Sequence, residues 1–217
     1  MLIVLLGPPG AGKGTQGELL AARLGIPKIA TGDLFRVAVK EGTALGLEAK
    51  QYMDRGDLVP DDVILGILRD AIASPQSARG AILDGAVRTV PQADGLERNL
   101  AAIGRKVDAV LLFEANHAEL VRRLSSRTTC DVCHTPHKGL EPGKSCPRGD
   151  GGRLIRRQDD EPEAIQNRLN VYEDQTAPVI AWYESHGVPV ERIDAIGEVA
   201  DVTVRAATAL DRVQHSG

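Results

Sequence analysis

Apolar residues cluster in short runs at Leu2–Leu6, Ala81–Leu83, Ala109–Phe113 and Val188–Ile193. Between them lie longer stretches in which apolar positions recur every three or four residues. Short apolar runs of this kind read as strands buried on both faces, and the 3.6-residue recurrence reads as amphipathic helix. A further short strand is predicted near Pro27–Ala30, and Lys13–Leu24 is predicted as the first helix. The alternation predicts an α/β fold, a five-stranded parallel sheet with helices on both faces. Two segments break the rhythm. Thr31 to Val59 is a helical stretch inserted after the second strand. Arg127 to Asp160 is rich in Gly and Pro and holds every cysteine. Both read as excursions from a common core.

Directly after the first strand stands GPPGAGKGT, Gly7 to Thr15. A buried strand emptying into a glycine-rich turn, then Lys13, then a helix is a phosphate cradle (P-loop). The glycines allow a tight turn with inward N–H groups, the lysine supplies a point charge, and the helix offers its positive end. Gly10, Ala11, Gly12, Lys13, Gly14 and Thr15 are therefore candidates for holding nucleotide phosphates. The pattern G-x-x-x-x-G-K-[ST] is shifted at its end, because Gly14 occupies the hydroxyl position and Thr15 follows it. Mg²⁺ is thus not expected to be anchored by the loop in the common way. Asp84 closes the strand Ala81–Leu83 and should lie beside the loop, since ligands of open sheets sit beyond the carboxyl ends of strands. An acid there suits Mg²⁺ held through water; the plainer reading is a helix N-cap.

Composition narrows the class. The chain has 217 residues, 42% of them hydrophobic, and a net charge of −4. That is enough for a sizeable core and argues against a nucleic-acid binder. No stretch reaches the ~18 apolar residues needed to span a bilayer. Met1 leads straight into a strand, so no signal peptide is expected and a cytoplasmic location is. The three cysteines all fall within Cys130–Cys146. In a cytosolic protein such clustering points to metal sooner than to disulfide.

Four ordered motifs carry a family resemblance: GPPGAGKGT, TGDLFR at Thr31–Arg36, DGAVRTVPQAD at Asp84–Asp94 and RRQDDEPEAIQNRL at Arg156–Leu169. Together they resemble the adenylate kinases over essentially the whole chain. The resemblance implies a core of residues 1–29, 60–125 and 164–217, an AMP-binding helical domain at 30–59 and a lid at 126–163. It implies reversible, Mg²⁺-dependent phosphoryl transfer in which ATP and AMP give two ADP. Arg36 and Arg88 would hold the AMP phosphate, and Arg123, Arg127, Arg157 and Arg168 would surround the transferred group and the ATP phosphates. Such chemistry needs fixed cations to offset repulsion between two phosphate chains, and guanidinium groups do this bidentately. Being four apart, Arg123 and Arg127 are expected on one helical face. Gln92 matches the residue whose amide reads the adenine of AMP, with Thr31, Asp57, Leu58 and Val59 completing the pocket. Gly197 is expected where the adenine of ATP meets the main chain. A monomer is expected, since two domains must swing freely.

The chain departs from the family at Ala86 and Val87, which replace Phe-Pro between Asp84-Gly85 and Arg88. The AMP pocket is expected to be looser there, and the Ala86–Val87 bond trans, because a cis non-proline bond costs ~2.5–4 kcal/mol. In the lid, Cys130-Asp131-Val132-Cys133 is half of a zinc knuckle. The second half is Cys146-Pro147-Arg148-Gly149-Asp150, where a strict count lands on Gly149, which offers no side-chain ligand. Asp150 is the natural substitute, His134 and His137 are rivals, and reduced thiols without metal are the alternative. Zinc here would be structural. Three other readings share parts of the pattern: a GTP-dependent donor specificity, a UMP or CMP acceptor, and an inactive nucleotide-binding module.

Overall fold

The run Leu2–Leu6 forms β1 at the centre of the main sheet, and its uniform apolarity has a direct cause. Leu2, Val4 and Leu6 enter one apolar cluster while Ile3 and Leu5 enter another, so both faces of the strand are covered. A strand buried on both sides cannot alternate with polar residues. The computed structural model describes residues 1–215. After β1 come α1 (Lys13–Leu24), β2 (Lys28–Ala30), α2 (Thr31–Lys40), α3 (Ala44–Met53) and α4 (Asp61–Ala73). Next are β3 (Ala81–Asp84), α5 (Val90–Ala101), β4 (Ala109–Glu114) and α6 (His117–Ser125). Then β5 (Arg127–Cys130), β6 (Pro136–Lys138) and β7 (Leu154–Ile155) form apart from the main sheet. The chain ends its described part with α7 (Pro162–Val171), α8 (Pro178–Ser185), β8 (Val190–Asp194) and α9 (Val199–His215).

The main sheet is five-stranded and parallel, in the order β2-β3-β1-β4-β8. This is the predicted fold class, with β8 starting slightly later than the apolar run Val188–Ile193. β1 lies between β3 and β4, and Leu5 is in register with Asp84. The phosphate loop and the acid that closes β3 therefore emerge side by side. Gly7 makes the exit from β1 possible: its φ is 135°, and a Cβ there would lie 2.3 Å from the Phe113 main-chain oxygen. No side chain fits.

Thr31 to Val59 forms the expected helical insertion. Thr43 caps α3 by accepting the Gly46 N–H at 3.0 Å. Gly46 lets α3 pack on α2, because a Cβ at that position would stand 2.2 Å from the Ala38 carbonyl.

The segment rich in Gly and Pro is a small antiparallel sheet, β6-β5-β7. Its interior consists of Cys130, Cys146 and Leu154 with Cys133 packed against them. It rests on the rest of the molecule. Arg148 pairs with Glu18 of α1 at 2.8 Å, and Lys40 of α2 donates to the Asp131 main-chain oxygen at 3.2 Å.

One expected relationship is corrected. Arg123 lies on α6, but the helix ends at Ser125 and Arg127 begins β5. The two arginines do not share a helical face, because the chain turns at Ser126 from the body into the small sheet.

Candidate active site

A single cavity of about 560 Å³ opens over the carboxyl ends of β1, β3 and β2. Gly10 to Thr15 line it, as do Thr31, Arg36, Asp57, Leu58, Val59, Asp84, Gly85, Val87, Arg88, Gln92, Arg123, Arg127, Arg157, Arg168 and Gly197. Ala86 does not. Its side chain is fully buried in the apolar cluster that also holds Phe35 and Ile64, so only its main chain is left to face a ligand. Among the described residues no peptide bond is cis, and Ala86–Val87 is trans as expected.

The phosphate loop has the geometry of an anion site. The N-cap of α1 is Gly12, and no side chain bonds to the first N–H groups of the helix. Four donors at a helix start need a partner, and an anion supplies one. Lys13 Nζ donates to the main-chain oxygens of Gly7 at 2.5 Å and Pro8 at 2.9 Å. Burial lowers the Lys13 pKa to about 8 from an ordinary 10.5; Asp84 opposes the fall, and Arg88 and Arg168 add to it. Asp84 sits against the loop. A Cβ on Gly14 would lie 3.4 Å from Asp84 Oδ2, so a larger residue at Gly14 would crowd the acid.

Around this loop the cations outnumber their partners. Arg127 binds Asp160, with Nε 2.7 Å from Oδ2 and Nη2 2.5 Å from Oδ1. Arg168 Nη1 reaches Asp159 at 2.9 Å and Asp160 at 3.1 Å. Arg36 pairs with Asp33. Among the described residues Arg88 and Arg157 form no ion pair, and the buried Nε of Arg157 has no hydrogen-bond partner. Burial lowers the pKa of both; Arg168 adds to the effect on Arg88, and Arg36 and Arg127 add to it on Arg157. Buried charge held next to like charge is relieved by an incoming anion.

Arg123 is oriented from three sides. Glu119 Oε1 accepts its Nε at 2.6 Å, the Ala195 carbonyl accepts Nη2 at 2.8 Å, and the Gly10 carbonyl accepts Nη1 at 3.4 Å. Thr31 donates its hydroxyl to the Gly85 carbonyl at 2.8 Å, fixing the turn after Asp84.

Several residues of the cavity carried no sequence assignment. Asp33 and Asp159 set arginines from within the cavity wall, while Asp160 and Glu119 set Arg127 and Arg123 from behind it. Asp159 and Asp160 stand in the acidic run after Arg157, but sequence could not say which cation each would face. Burial tends to raise Asp159, yet Arg168 and Arg127 outweigh it and hold the carboxyl low.

In the small sheet, Cys130, Cys133, Cys146 and Asp150 place one ligand atom each within 4.8 Å of one another. The Sγ atoms of Cys133 and Cys146 are 3.8 Å apart. Sulfurs bound about 2.3 Å from a tetrahedral zinc lie about 3.8 Å from each other, so this spacing fits. Cys130 Sγ is 3.3 Å from Asp150 Oδ2 and accepts the Val132 and Cys133 main-chain N–H groups at 3.3 and 3.4 Å. His137 Nε2 is 3.9 Å from Cys146 Sγ, at the edge of the group, and both His134 and His137 line the main cavity.

Comparison with known proteins agrees with the geometry. Residues 5–188 match the family model described as adenylate kinase. The chain is 64% identical over 211 residues to the adenylate kinase of Gemmatimonas aurantiaca, covering 97% of this chain and 99% of that protein. It is 48% identical to the adenylate kinase of Salinispora tropica, covering 97% and 98% of the two chains. With that of Methanocella arvoryzae it shares 43% identity over 98% of its own length and all of the relative. The phosphate loop, the ring of arginines and these matches point one way: the chain belongs to the adenylate kinase family.

Proposed function

We infer that the protein transfers the terminal phosphoryl group of ATP to AMP, reversibly, giving two molecules of ADP. The observation that carries this reading is the cation excess. Lys13 and Arg123 from the body, Arg36 from the inserted helices, and Arg127 and Arg157 from the small-sheet segment converge on one cavity. A single phosphate chain does not need so many. Two phosphate chains brought end to end do, because each repels the other.

Lys13 and the uncapped start of α1 hold the donor's outer phosphates, with Arg123 and Arg127 beside them. Arg36 and Arg88 hold the acceptor phosphate. Arg157 and Arg168, between the two groups, stabilise the charge that spreads over the equatorial oxygens of the moving group. No general base is required, since the acceptor phosphate is already an anionic nucleophile. Mg²⁺, arriving with ATP, supplies charge neutralisation at the phosphates, and Asp84 is the acid placed to hold it. Gln92 faces the base of AMP and Gly197 the base of ATP.

The segment 126–163 acts as a lid and 30–59 as a second moving piece, which close together to exclude water and prevent simple hydrolysis. The lid's contacts Arg148–Glu18 and Lys40–Asp131 support a closed arrangement. Cys130, Cys133, Cys146 and Asp150 would hold zinc with four protein ligands, and the metal would tie the lid's strands together as a structural ion. A monomer suits two pieces that must move independently, and a cytoplasmic enzyme suits unpaired cysteines. The test is ADP formation from ATP, AMP and Mg²⁺, run beside GTP as donor and UMP, CMP or IMP as acceptors. Failure to make ADP from ATP and AMP would overturn the reading.

A further inference from the structure

Gln92 is fully buried, and both ends of its amide are already engaged. Its Nε2 donates to Asp61 Oδ1 at 2.7 Å, and its Oε1 accepts the Arg88 main-chain N–H at 2.7 Å. Neither partner can exchange roles, because a carboxylate only accepts and a main-chain N–H only donates. The two ends of an amide have nearly the same shape, so here chemistry alone dictates which way it faces. Turned over, Oε1 would meet the carboxylate and Nε2 would meet an N–H. Two buried bonds would become two repulsive contacts.

Asp61 is itself held in place. It opens α4, where a helix start favours negative charge, and the Thr89 hydroxyl lies 3.4 Å from each of its oxygens. Thr89 also caps α5 by accepting the Gln92 N–H at 3.2 Å. One threonine thus ties together both members of the pair.

An amide fixed this way keeps one lone pair on Oε1 and one hydrogen on Nε2 for a ligand. The six-position edge of a purine must then offer a donor to Oε1 and an acceptor to Nε2. Adenine does so with its exocyclic amine and N1. Hypoxanthine and guanine present the reverse, a carbonyl beside an N1–H. We propose that Asp61 is a specificity-determining positioning residue: by locking the Gln92 amide it selects 6-amino over 6-oxo purine monophosphates. Asp61 does this without touching the base. The inference rests on the reading of Gln92 as the residue that faces the acceptor's base.

The test compares kcat/KM for AMP and for IMP, at saturating ATP, in the parent protein, Asp61→Asn and Gln92→Ala. Asparagine can donate or accept, so it removes one of the two constraints on the amide. The AMP-to-IMP ratio should fall about tenfold or more in D61N, while the KM for ATP stays within about twofold. Both acceptors are assayed on one preparation, so any misfolded fraction cancels from the ratio. Equal losses for AMP and IMP in D61N, with Q92A raising the KM for AMP, would overturn the lock and leave the reading of Gln92 standing. A Q92A protein with the parent KM for AMP would overturn that reading, and the lock with it.

Discussion

In the body of the molecule every residue of β1 is buried and two apolar clusters cover the sheet. In the small sheet the buried apolar cluster is Cys130, Cys146 and Leu154, with Cys133 packed against it. Both regions wall the same cavity, yet they are held by different forces. The body buries enough apolar surface to fold on that account, whereas a three-stranded sheet of this size does not and needs a staple. Order in the body therefore belongs to the chain, and the metal proposed for the four-ligand cluster is what would order the small sheet. That division suits the proposed closure, in which the small sheet moves and the phosphate loop does not.

The largest expected effect comes from removing the staple. Structural zinc in small domains contributes roughly 10–16 kcal/mol of apparent binding free energy, and that sets the upper scale for ordering the lid. Chelation, or Cys146→Ser, should speed amide hydrogen exchange through β5, β6 and β7 and leave β1, β3 and β4 protected. Unchanged exchange in the lid after complete metal loss would erase the contrast.

The reciprocal experiment strikes the body. Leu96 on α5 is 1% exposed and does not line the cavity. Leu96→Ala should cost about 2–5 kcal/mol of stability, read by denaturant unfolding, with metal content and low-temperature kcat retained. Loss of metal in that variant would mean the two regions fold as one unit.

A smaller effect is expected at Glu119, which orients Arg123 on the body side of the donor site. Hydrogen bonds from Arg122 and Arg123 hold its carboxyl at about 2, far below an ordinary 4.5, so it is ionised at any useful assay pH. Glu119→Gln should raise the KM for ATP roughly tenfold and leave that for AMP unchanged. A matching rise for AMP would show Arg123 serving both substrates.

The smallest effect is a proton. Burial sets Lys13 at about 8, and the donor's phosphates would return it toward 10.5. Binding near that pH should take up protons, and ATP affinity should fall about threefold between roughly pH 7.5 and 8.5. The sign for folding is the same in origin. The unfolded chain holds the Lys13 proton more firmly, so this group's contribution to stability rises with pH from about 8 to 10.5. Calorimetry of ATP binding in two buffers of unlike ionisation enthalpy reads the uptake directly. Identical heats would place Lys13 fully charged before ATP arrives.

What was legible in the sequence follows the same division. β1, the loop Gly7–Thr15 and the arginine positions are local patterns, set by burial on both faces and by turn chemistry. Asp61 and Gln92 are separated by 31 residues and meet only because α4 packs on α5. No periodicity announces such a pair. Ala86 reads as a pocket residue by position, and its side chain, after the left-handed turn at Gly85 with φ 68°, lies in the core. Arg127 was placed on a helix by spacing alone; Ser126, the C-cap of α6, marks the end that spacing could not show.

The turn at Ser126 also separates two arginines of the cavity wall, Arg123 on α6 and Arg127 on β5. On the reading proposed above, Arg123 stays with the body and Arg127 goes with the lid, so the two would share the grip on ATP and part when the lid opens. Letting go and opening are then one motion. A nucleotide cannot leave an open site while still gripped from both sides, and the lid cannot shut firmly on a site that lacks the phosphates joining its two halves. The hinge needs no separate sensor of occupancy, because the cargo is the clasp.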